Sequence, residues 1–276
     1  MTTTTPHVGI GNLVNALGQL AAPLGIAARP PSLARQRYRS ESSRGTAPLA
    51  DVYLPDGDGP HPSMVLVHGG GFVIGSRRMK AMRYLSTRLC NAGFAVATFD
   101  YRLLYRGGDL TTAVADVREM LRWWHGQSER FALDNGRISV GGLSAGATLT
   151  LLATAEPPLP LHRVVSVFAL YDLSGIRGRL PRLMARKLTG SREPAEWQQR
   201  SPSHREMGAT PLVMLHGTAD DLTPLADAHA YRARRQAAGL PTQLHIYEGA
   251  PHGFFNDARK PVADQAFQDL LAALVD

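Results

Sequence analysis

The chain has 276 residues, of which 44% are hydrophobic and 19% are charged. These values are typical of a globular protein built around one large core, and they exclude disordered and collagen-like chains. The formal net charge of +7 would suit an anionic partner, but the basic residues are scattered and include no nucleic-acid-binding motif, so we expect no nucleic-acid partner.

The first predicted element is an amphipathic helix near the N-terminus. Ile10, Leu13, Val14 and Leu17 recur at spacings of three and four residues, which places them on one face of a helix. We expect residues 1–35 to form an N-terminal helical segment that covers the site as a lid, packs against the body or contacts a second copy in a homodimer. The sequence leaves these alternatives open.

Signals for membrane insertion or secretion are weak. No run of eighteen or more apolar residues occurs, so we expect no membrane span. The N-terminus lacks the basic start of a secretory signal peptide. The single Cys90 cannot form an intramolecular disulfide, so the chain does not require an oxidising compartment. A cytoplasmic location is the expectation that remains.

Short apolar runs alternate with longer amphipathic stretches along the rest of the chain. Asp109 is available as an N-cap for the longest predicted helix. Strands are predicted at 36–40, 47–54, 64–67, 94–99, 138–140, 164–170, 212–215 and 243–247, and helices at 78–92, 110–128, 145–155, 226–238 and 261–274. This alternation predicts an α/β fold, with a mostly parallel sheet covered by helices on both faces, in a catalytic domain at 36–276.

Residues 172–209 interrupt the alternation. They are rich in arginine and proline and contain no clear strand. Ligands bind at the carboxyl edge of the strands in open α/β sheets. We therefore predict that 172–209 is a small lid insertion over that edge.

A nucleophile motif follows the strand predicted at 138–140. Residues 142–146 read Gly-Leu-Ser-Ala-Gly and precede a predicted helix, so Ser144 should occupy a sharp strand-to-helix turn. Glycines flank such a turn because neighbouring backbone leaves no room for side chains. The Ala145 amide, at the start of the helix, would point toward developing negative charge.

A second glycine-rich segment, His-Gly-Gly-Gly-Phe at 68–72, ends the strand predicted at 64–67. Successive glycines allow backbone N–H groups to face a substrate, so Gly70 and Gly71 are predicted to complete an oxyanion hole with Ala145. A phosphate-binding loop is disfavoured because its lysine and hydroxyl residues are missing. His68 is predicted to brace the loop by hydrogen bonding.

A serine nucleophile needs an imidazole base and a carboxylate that orients it. His252 lies in a Gly- and Pro-punctuated loop beyond the last predicted strand, whereas His216 ends an earlier strand. We predict His252 as the base. The carboxylate is Asp220 or Asp221, which both follow the strand predicted at 212–215.

These motifs resemble those of the α/β-hydrolase carboxylesterases similar to hormone-sensitive lipase, over about residues 45–275. In that family a His-Gly-Gly-Gly-Phe loop, the order Ser, Asp, His and a His-Gly-Phe segment around the base recur as they do here. An acidic residue also follows a His-Gly segment there, as Asp220 follows His216 and Gly217 here, so the resemblance favours Asp220 over Asp221. The resemblance implies hydrolysis of short-chain carboxylic esters, with a small-molecule ester as substrate and with no cofactor and no metal ion.

Two departures concern the substrate pockets. Leu143 stands where the family often has aspartate, and Leu103 begins the segment that often reads Ala-Pro-Glu. An amidase or aryl formamidase would use the same three residues, and a ligand-binding protein could keep the fold without catalysis. The sequence does not specify the natural substrate, the enantiopreference or the oligomeric state.

Overall fold

The computed structural model describes residues 25–40, 45–176 and 179–276. The strands in these ranges are β1 (Leu33–Arg37), β2 (Leu49–Tyr53), β3 (His61–Val67), β4 (Ala95–Phe99), β5 (Leu133–Leu143), β6 (Val164–Val167), β7 (Leu212–Ala219) and β8 (Thr242–Pro251). They form one sheet in the order β1-β2-β4-β3-β5-β6-β7-β8. Among them β2 is antiparallel to both neighbours, and all other pairs are parallel. The predicted mostly parallel sheet is confirmed.

Helices alternate with the strands and cover both faces of the sheet. They are α1 (Lys80–Asn91), α2 (Leu110–His125), α3 (Ser128–Phe131), α4 (Ala145–Ala153), α5 (Arg179–Thr189), α6 (Pro194–Gln199), α7 (Leu225–Ala237) and α8 (Pro261–Val275). Asp109 caps α2 as predicted, because its side chain accepts a hydrogen bond from Thr112 N at 2.7 Å. Gly126 at the C-cap ends that helix earlier than the predicted residue 128.

The core consists of two apolar clusters, one on each face of the sheet. Alternate residues of β3 point to opposite faces. Val65 therefore packs in the cluster that includes Val117 of α2, whereas Met64 packs with Leu85 of α1 and Phe267 of α8. Burial on both faces explains why the central strands read as continuous apolar runs rather than as alternating patterns.

Several strand boundaries differ from the predictions. β5 differs most, because it runs over Leu133–Leu143 rather than 138–140, and β3, β7 and β8 are also longer than predicted. β1 begins at Leu33 rather than residue 36, because this edge strand is largely exposed and has no apolar run to mark it. β6 ends at Val167 rather than residue 170. The backbone leaves the extended conformation at Phe168, whose φ is 39°.

Two segments, 1–35 and 172–209, were predicted to lie outside the regular alternation of strands and helices. The described part of 172–209 contains α5, α6 and two short 3-10 turns, and no strand. Of the helical segment predicted at 1–35, residues 1–24 lie outside the described residues. The described part from residue 25 contains no helix and runs into β1, so the helical prediction is wrong for 25–35. The chain from residue 25 onward packs on the body, where Arg29 N donates to Thr87 Oγ1 at 3.0 Å. None of the helices in the described ranges is long and apolar enough to span a membrane.

Candidate active site

Ser144 lies in the sharp turn between β5 and α4. Its φ of 54° and ψ of −122° form a conformation that residues other than glycine rarely adopt. A Cβ on Gly142 would lie 2.2 Å from the Gly146 carbonyl oxygen, and one on Gly146 would lie 2.2 Å from the Val67 oxygen. Glycine is required at both positions, and the turn places the Ser144 hydroxyl at the carboxyl edge of the sheet.

His252 lies between Ser144 and Asp220, in the loop that follows β8. Its Nε2 is 2.9 Å from Ser144 Oγ, and its Nδ1 is 2.8 Å from Asp220 Oδ2. With the proton on Nδ1, the ring donates a hydrogen bond to the carboxylate and accepts one from the hydroxyl. The Phe168 ring packs against the imidazole with the centroids 4.7 Å apart, which restricts the orientation of the His252 ring.

Asp220 follows β7 directly, and its side chain is almost fully buried. Oδ1 accepts hydrogen bonds from Leu222 N at 3.0 Å and from Thr223 N at 2.8 Å. Burial raises the pKa of the Asp220 carboxyl. The hydrogen bond and the charge of His252, together with the hydrogen bond from the Thr223 amide, lower it by more, so the pKa of Asp220 lies below its usual range. The group is therefore a carboxylate at neutral pH. The neighbouring Asp221 is exposed at the edge of the cavity described below.

Thr223 is a polar neighbour of Asp220 and His252 that the sequence analysis missed. Its hydroxyl donates to Asp220 Oδ2 at 2.8 Å and lies 3.4 Å from His252 Nδ1. His216, the rejected candidate for the base, is buried, and its Nε2 donates to Thr223 O at 2.8 Å. The spacing Asp-x-x-Thr, typical of turns in which a side chain caps the backbone, was the available signal.

Gly70, Gly71 and Ala145 line the same cavity as Ser144. Their N–H groups donate no hydrogen bond to another described residue, so these groups can donate to a bound molecule. The loop is fixed through the Gly70 carbonyl, which accepts from Val73 N at 3.2 Å and from Ile74 N at 3.1 Å. The φ values of Gly70 and Gly71, 115° and 60°, favour glycine.

His68 hydrogen-bonds to the backbone at the start of this glycine loop, as predicted. The ring is fully buried, its Nδ1 bonds to Gly69 O at 2.7 Å, and it stacks on Tyr101 with the centroids 4.3 Å apart. The Tyr101 hydroxyl donates to His68 O at 3.2 Å. Burial lowers the pKa of His68, so the ring is neutral and does not bring a charge near the loop.

Ser144 opens into a cavity of about 580 Å³ that extends over both faces of the sheet edge. One wall of the cavity consists of residues from the core cluster that packs under α2 and α4, and α5 contributes side chains to the same wall. The other wall continues the core under α1 and α8. The larger lining residues that belong to these two cores are Phe72, Leu104, Leu170, Ile176, Met184 and Leu188 on the first side, and Met79, Met82, Leu143 and Phe168 on the second. Apolar groups can therefore extend in two directions from the serine.

The sequence profile of the BD-FAE family matches residues 50–234. The chain belongs to the BD-FAE family. The matched region includes the glycine loop, the nucleophile turn and Asp220, whereas His252 lies beyond it. Sequence relatives of this family member include Esterase LipC of Mycobacterium tuberculosis, 30% identical over 218 residues that cover 71% of this chain and 53% of LipC. Ethyl acetate hydrolase of Pseudomonas putida is 29% identical over 229 residues, which cover 74% and 70% of the two chains. The chain spans about half the length of LipC.

Solved structures of the same fold include esterase B from Lactobacillus rhamnosis in complex with a tributyrin phosphonate inhibitor. It superposes with a TM-score of 0.79 at 19% identity, over 95% of this chain and 91% of that chain. Esterase 2 of Thermogutta terrifontis with bound propionate gives 0.71 at 24% identity, over 88% and 93%. These likenesses confirm the predicted α/β-hydrolase fold. With the family match and LipC, they confirm the resemblance to carboxylesterases similar to hormone-sensitive lipase.

Proposed function

We propose that this protein is a serine carboxylesterase that hydrolyses short-chain carboxylic esters through Ser144, His252 and Asp220. The observation that carries the proposal is the row of hydrogen bonds from Ser144 Oγ to His252 Nε2 and from His252 Nδ1 to Asp220 Oδ2, of 2.9 and 2.8 Å. The activities that name its relatives, an ethyl acetate hydrolase and an esterase B inhibited by a tributyrin phosphonate, support ester substrates with short acyl chains.

In the first half of the proposed reaction, His252 Nε2 takes the proton of Ser144 as Oγ attacks the ester carbonyl. The N–H groups of Gly70, Gly71 and Ala145 stabilise the tetrahedral oxyanion, and each such donor is worth about 3 to 4 kcal/mol to the transition state. The imidazolium, stabilised by Asp220, then protonates the leaving alcohol oxygen. The C–O bond breaks and an acyl-enzyme remains on Ser144.

The second half repeats these steps with water. His252 Nε2 removes a proton from a water molecule whose oxygen attacks the acyl carbonyl, and the same three N–H groups stabilise the second oxyanion. The imidazolium returns the proton to Ser144 Oγ as the acyl bond breaks. The carboxylic acid leaves and the free enzyme is restored.

We further propose that the insertion at 172–209 acts as a small lid. Met184 and Leu188 of α5 form part of the cavity wall, so this helix separates the space above Ser144 from solvent. Exclusion of water strengthens the electrostatic interactions that stabilise the oxyanion.

A panel of p-nitrophenyl esters from acetyl to dodecanoyl tests the proposed function. We expect the wild type to hydrolyse the short members fastest and Ser144→Ala to lower turnover on the order of 10⁶-fold. Ser40→Ala, at an exposed serine outside the cavity, is the matched control and should keep the wild-type rate. Intact mass after treatment with a p-nitrophenyl phosphonate should show one adduct that Ser144→Ala lacks.

Two outcomes would contradict the proposed function. If the wild type hydrolyses no ester and forms no adduct, the fold serves ligand binding rather than catalysis. If butyryl p-nitroanilide or an aryl formamide is turned over faster than p-nitrophenyl butyrate, the same residues belong to an amidase or aryl formamidase.

A further inference from the structure

Exposed apolar side chains concentrate at the mouth of the cavity. Six large hydrophobic residues of the described ranges are exposed, and four of them either line the cavity or follow or precede a lining residue in sequence. Ile74 and Leu222 line the cavity itself. Tyr105 and Leu183, 57% and 53% exposed, are each adjacent in sequence to a lining residue. Apolar groups clustered around an opening, rather than scattered over the surface, are typical of a site that contacts another apolar phase.

The outer face of α5 adds positive charge beside these apolar groups. Arg182, Arg186 and Lys187 are exposed, whereas Met184 and Leu188 of the same helix face the cavity. The Lys187 ammonium lies 5.7 Å from the centroid of the Tyr105 ring, so α5 and the loop that carries Tyr105 form one continuous surface. We call Tyr105, Arg182, Leu183, Arg186 and Lys187 the basic rim.

Another part of the cavity edge carries a negative charge. The exposed carboxylate of Asp221 stands next to Leu222 there. On the basic-rim side, the sequence from 176 to 192 contains no aspartate or glutamate. An anionic surface is therefore attracted along α5 and repelled at Asp221.

We propose that the basic rim docks the enzyme on an anionic phospholipid surface. Cationic side chains contact the headgroups, while Leu183 and Tyr105 insert at the boundary with the acyl chains, as amphipathic helices do at such interfaces. Insertion accounts for the exposed apolar groups, which a soluble polyanion would not need. The proposal rests on the proposed ester hydrolysis for its purpose, because apolar esters partition into the lipid and would reach the cavity directly from it.

Cosedimentation of the full chain with vesicles tests this docking without the need for turnover. We expect binding to vesicles of phosphatidylcholine and phosphatidylglycerol at about seven to three, little binding to phosphatidylcholine alone, and weaker binding at high salt. Replacing Arg182, Arg186 and Lys187 together by glutamine should lower the partition coefficient about 100-fold. Leu183→Ser should lower it about tenfold, because one apolar side chain no longer inserts.

The controls match these changes elsewhere on the surface. Arg83→Gln, Arg122→Gln and Arg130→Gln together remove three exposed charges from α1, α2 and α3, and Ile246→Ser removes an exposed apolar side chain from β8. Both should bind like the wild type. All variants should keep wild-type turnover of p-nitrophenyl acetate, which separates a failure of docking from a failure of folding or of the proposed activity.

Three results would overturn the proposal. The first is no preference of the wild type for phosphatidylglycerol vesicles. The second is an equal loss of binding in the control variants, which would show attraction by net charge alone. The third is a loss in the triple variant with unchanged binding of Leu183→Ser, which would indicate a soluble polyanion rather than a lipid surface.

Discussion

At the scale of single residues, the choice between two adjacent aspartates decides the chemistry. Asp220 and Asp221 both follow β7. The chain turns directly after that strand, so only one of the two carboxylates can face His252 at the end of β8. The Asp220 carboxylate lies 2.8 Å from His252 Nδ1 and is held by the Thr223 amide and hydroxyl. Asp221 points to the mouth of the cavity, where solvent screens its charge.

We expect Asp220→Asn to lower kcat on short p-nitrophenyl esters about 10⁴-fold, because the amide no longer holds His252 in the tautomer that accepts the Ser144 proton. Asp221→Asn is the matched control and should change kcat by less than about threefold, because an exposed charge contributes little. A larger loss at Asp221 than at Asp220 would reverse the assignment. Steady-state kinetics of the two variants beside the wild type make the comparison.

At the scale of elements, α5 divides its side chains between cavity and solvent. Met184 and Leu188 face the space above Ser144, whereas Leu183, one position earlier, is exposed. Adjacent residues on a helix point about 100° apart, so a single helix can form a wall and a surface at once. The wall residues should set how large a substrate the site accepts.

We expect Met184→Ala to shift the preferred chain length upward, because a shorter side chain enlarges the cavity. The test measures kcat/KM over two series, p-nitrophenyl esters of rising acyl length and butyrate esters of rising alcohol length. One of the two profiles should move to longer chains, according to the direction in which the wall faces. Leu183→Ala should leave both profiles in place, and the wall assignment is wrong if Met184→Ala does so too.

At the scale of the whole molecule, buried titratable groups couple stability to pH. His68 and His216 are fully buried, and burial lowers the pKa of each ring. Asp51 is also fully buried, and burial would raise its pKa. Hydrogen bonds from Arg78, Arg35 and Arg77 outweigh this effect and hold the pKa below its usual range.

The sign of the pH dependence follows from these directions. Below about pH 6.5 the unfolded chain binds protons that the buried His68 and His216 do not, so the free energy of unfolding falls. Asp51 and Asp220 contribute stability above about pH 4, which is lost as the pH falls through their folded-state pKa values. Asp227 opposes this trend, because burial and Asp172 raise its pKa.

We therefore expect the Tm to fall between about pH 6.5 and 5 and to fall again below about pH 4. Differential scanning calorimetry from pH 7.5 to 3 measures both steps. His125→Gln, which removes an exposed histidine on α2, should not alter the first step. A Tm that stays constant or rises between pH 7.5 and 5 would contradict the burial of neutral histidines.

The sequence by itself determined the local features of this protein. Gly142, Gly146 and Gly70 mark turns that leave no room for a side chain, and apolar runs alternating with amphipathic stretches specify a parallel sheet covered by helices. These signals depend on neighbours within a few residues, so they can be read without the fold. The predicted start of β1 was wrong by three residues, because an exposed edge strand has no apolar pattern that marks its ends.

Only the tertiary structure decided which distant groups meet. Ser144 and His252 are 108 positions apart in sequence, and the order of the strands sets the distance between their side chains. The same packing pairs His252 with Asp220, places Thr223 beside both and brings walls from the two faces of the sheet around one cavity. Contacts of this kind depend on how the whole core closes. The sequence therefore indicated the chemistry of the site, and the fold decided its partners and the shape of its cavity.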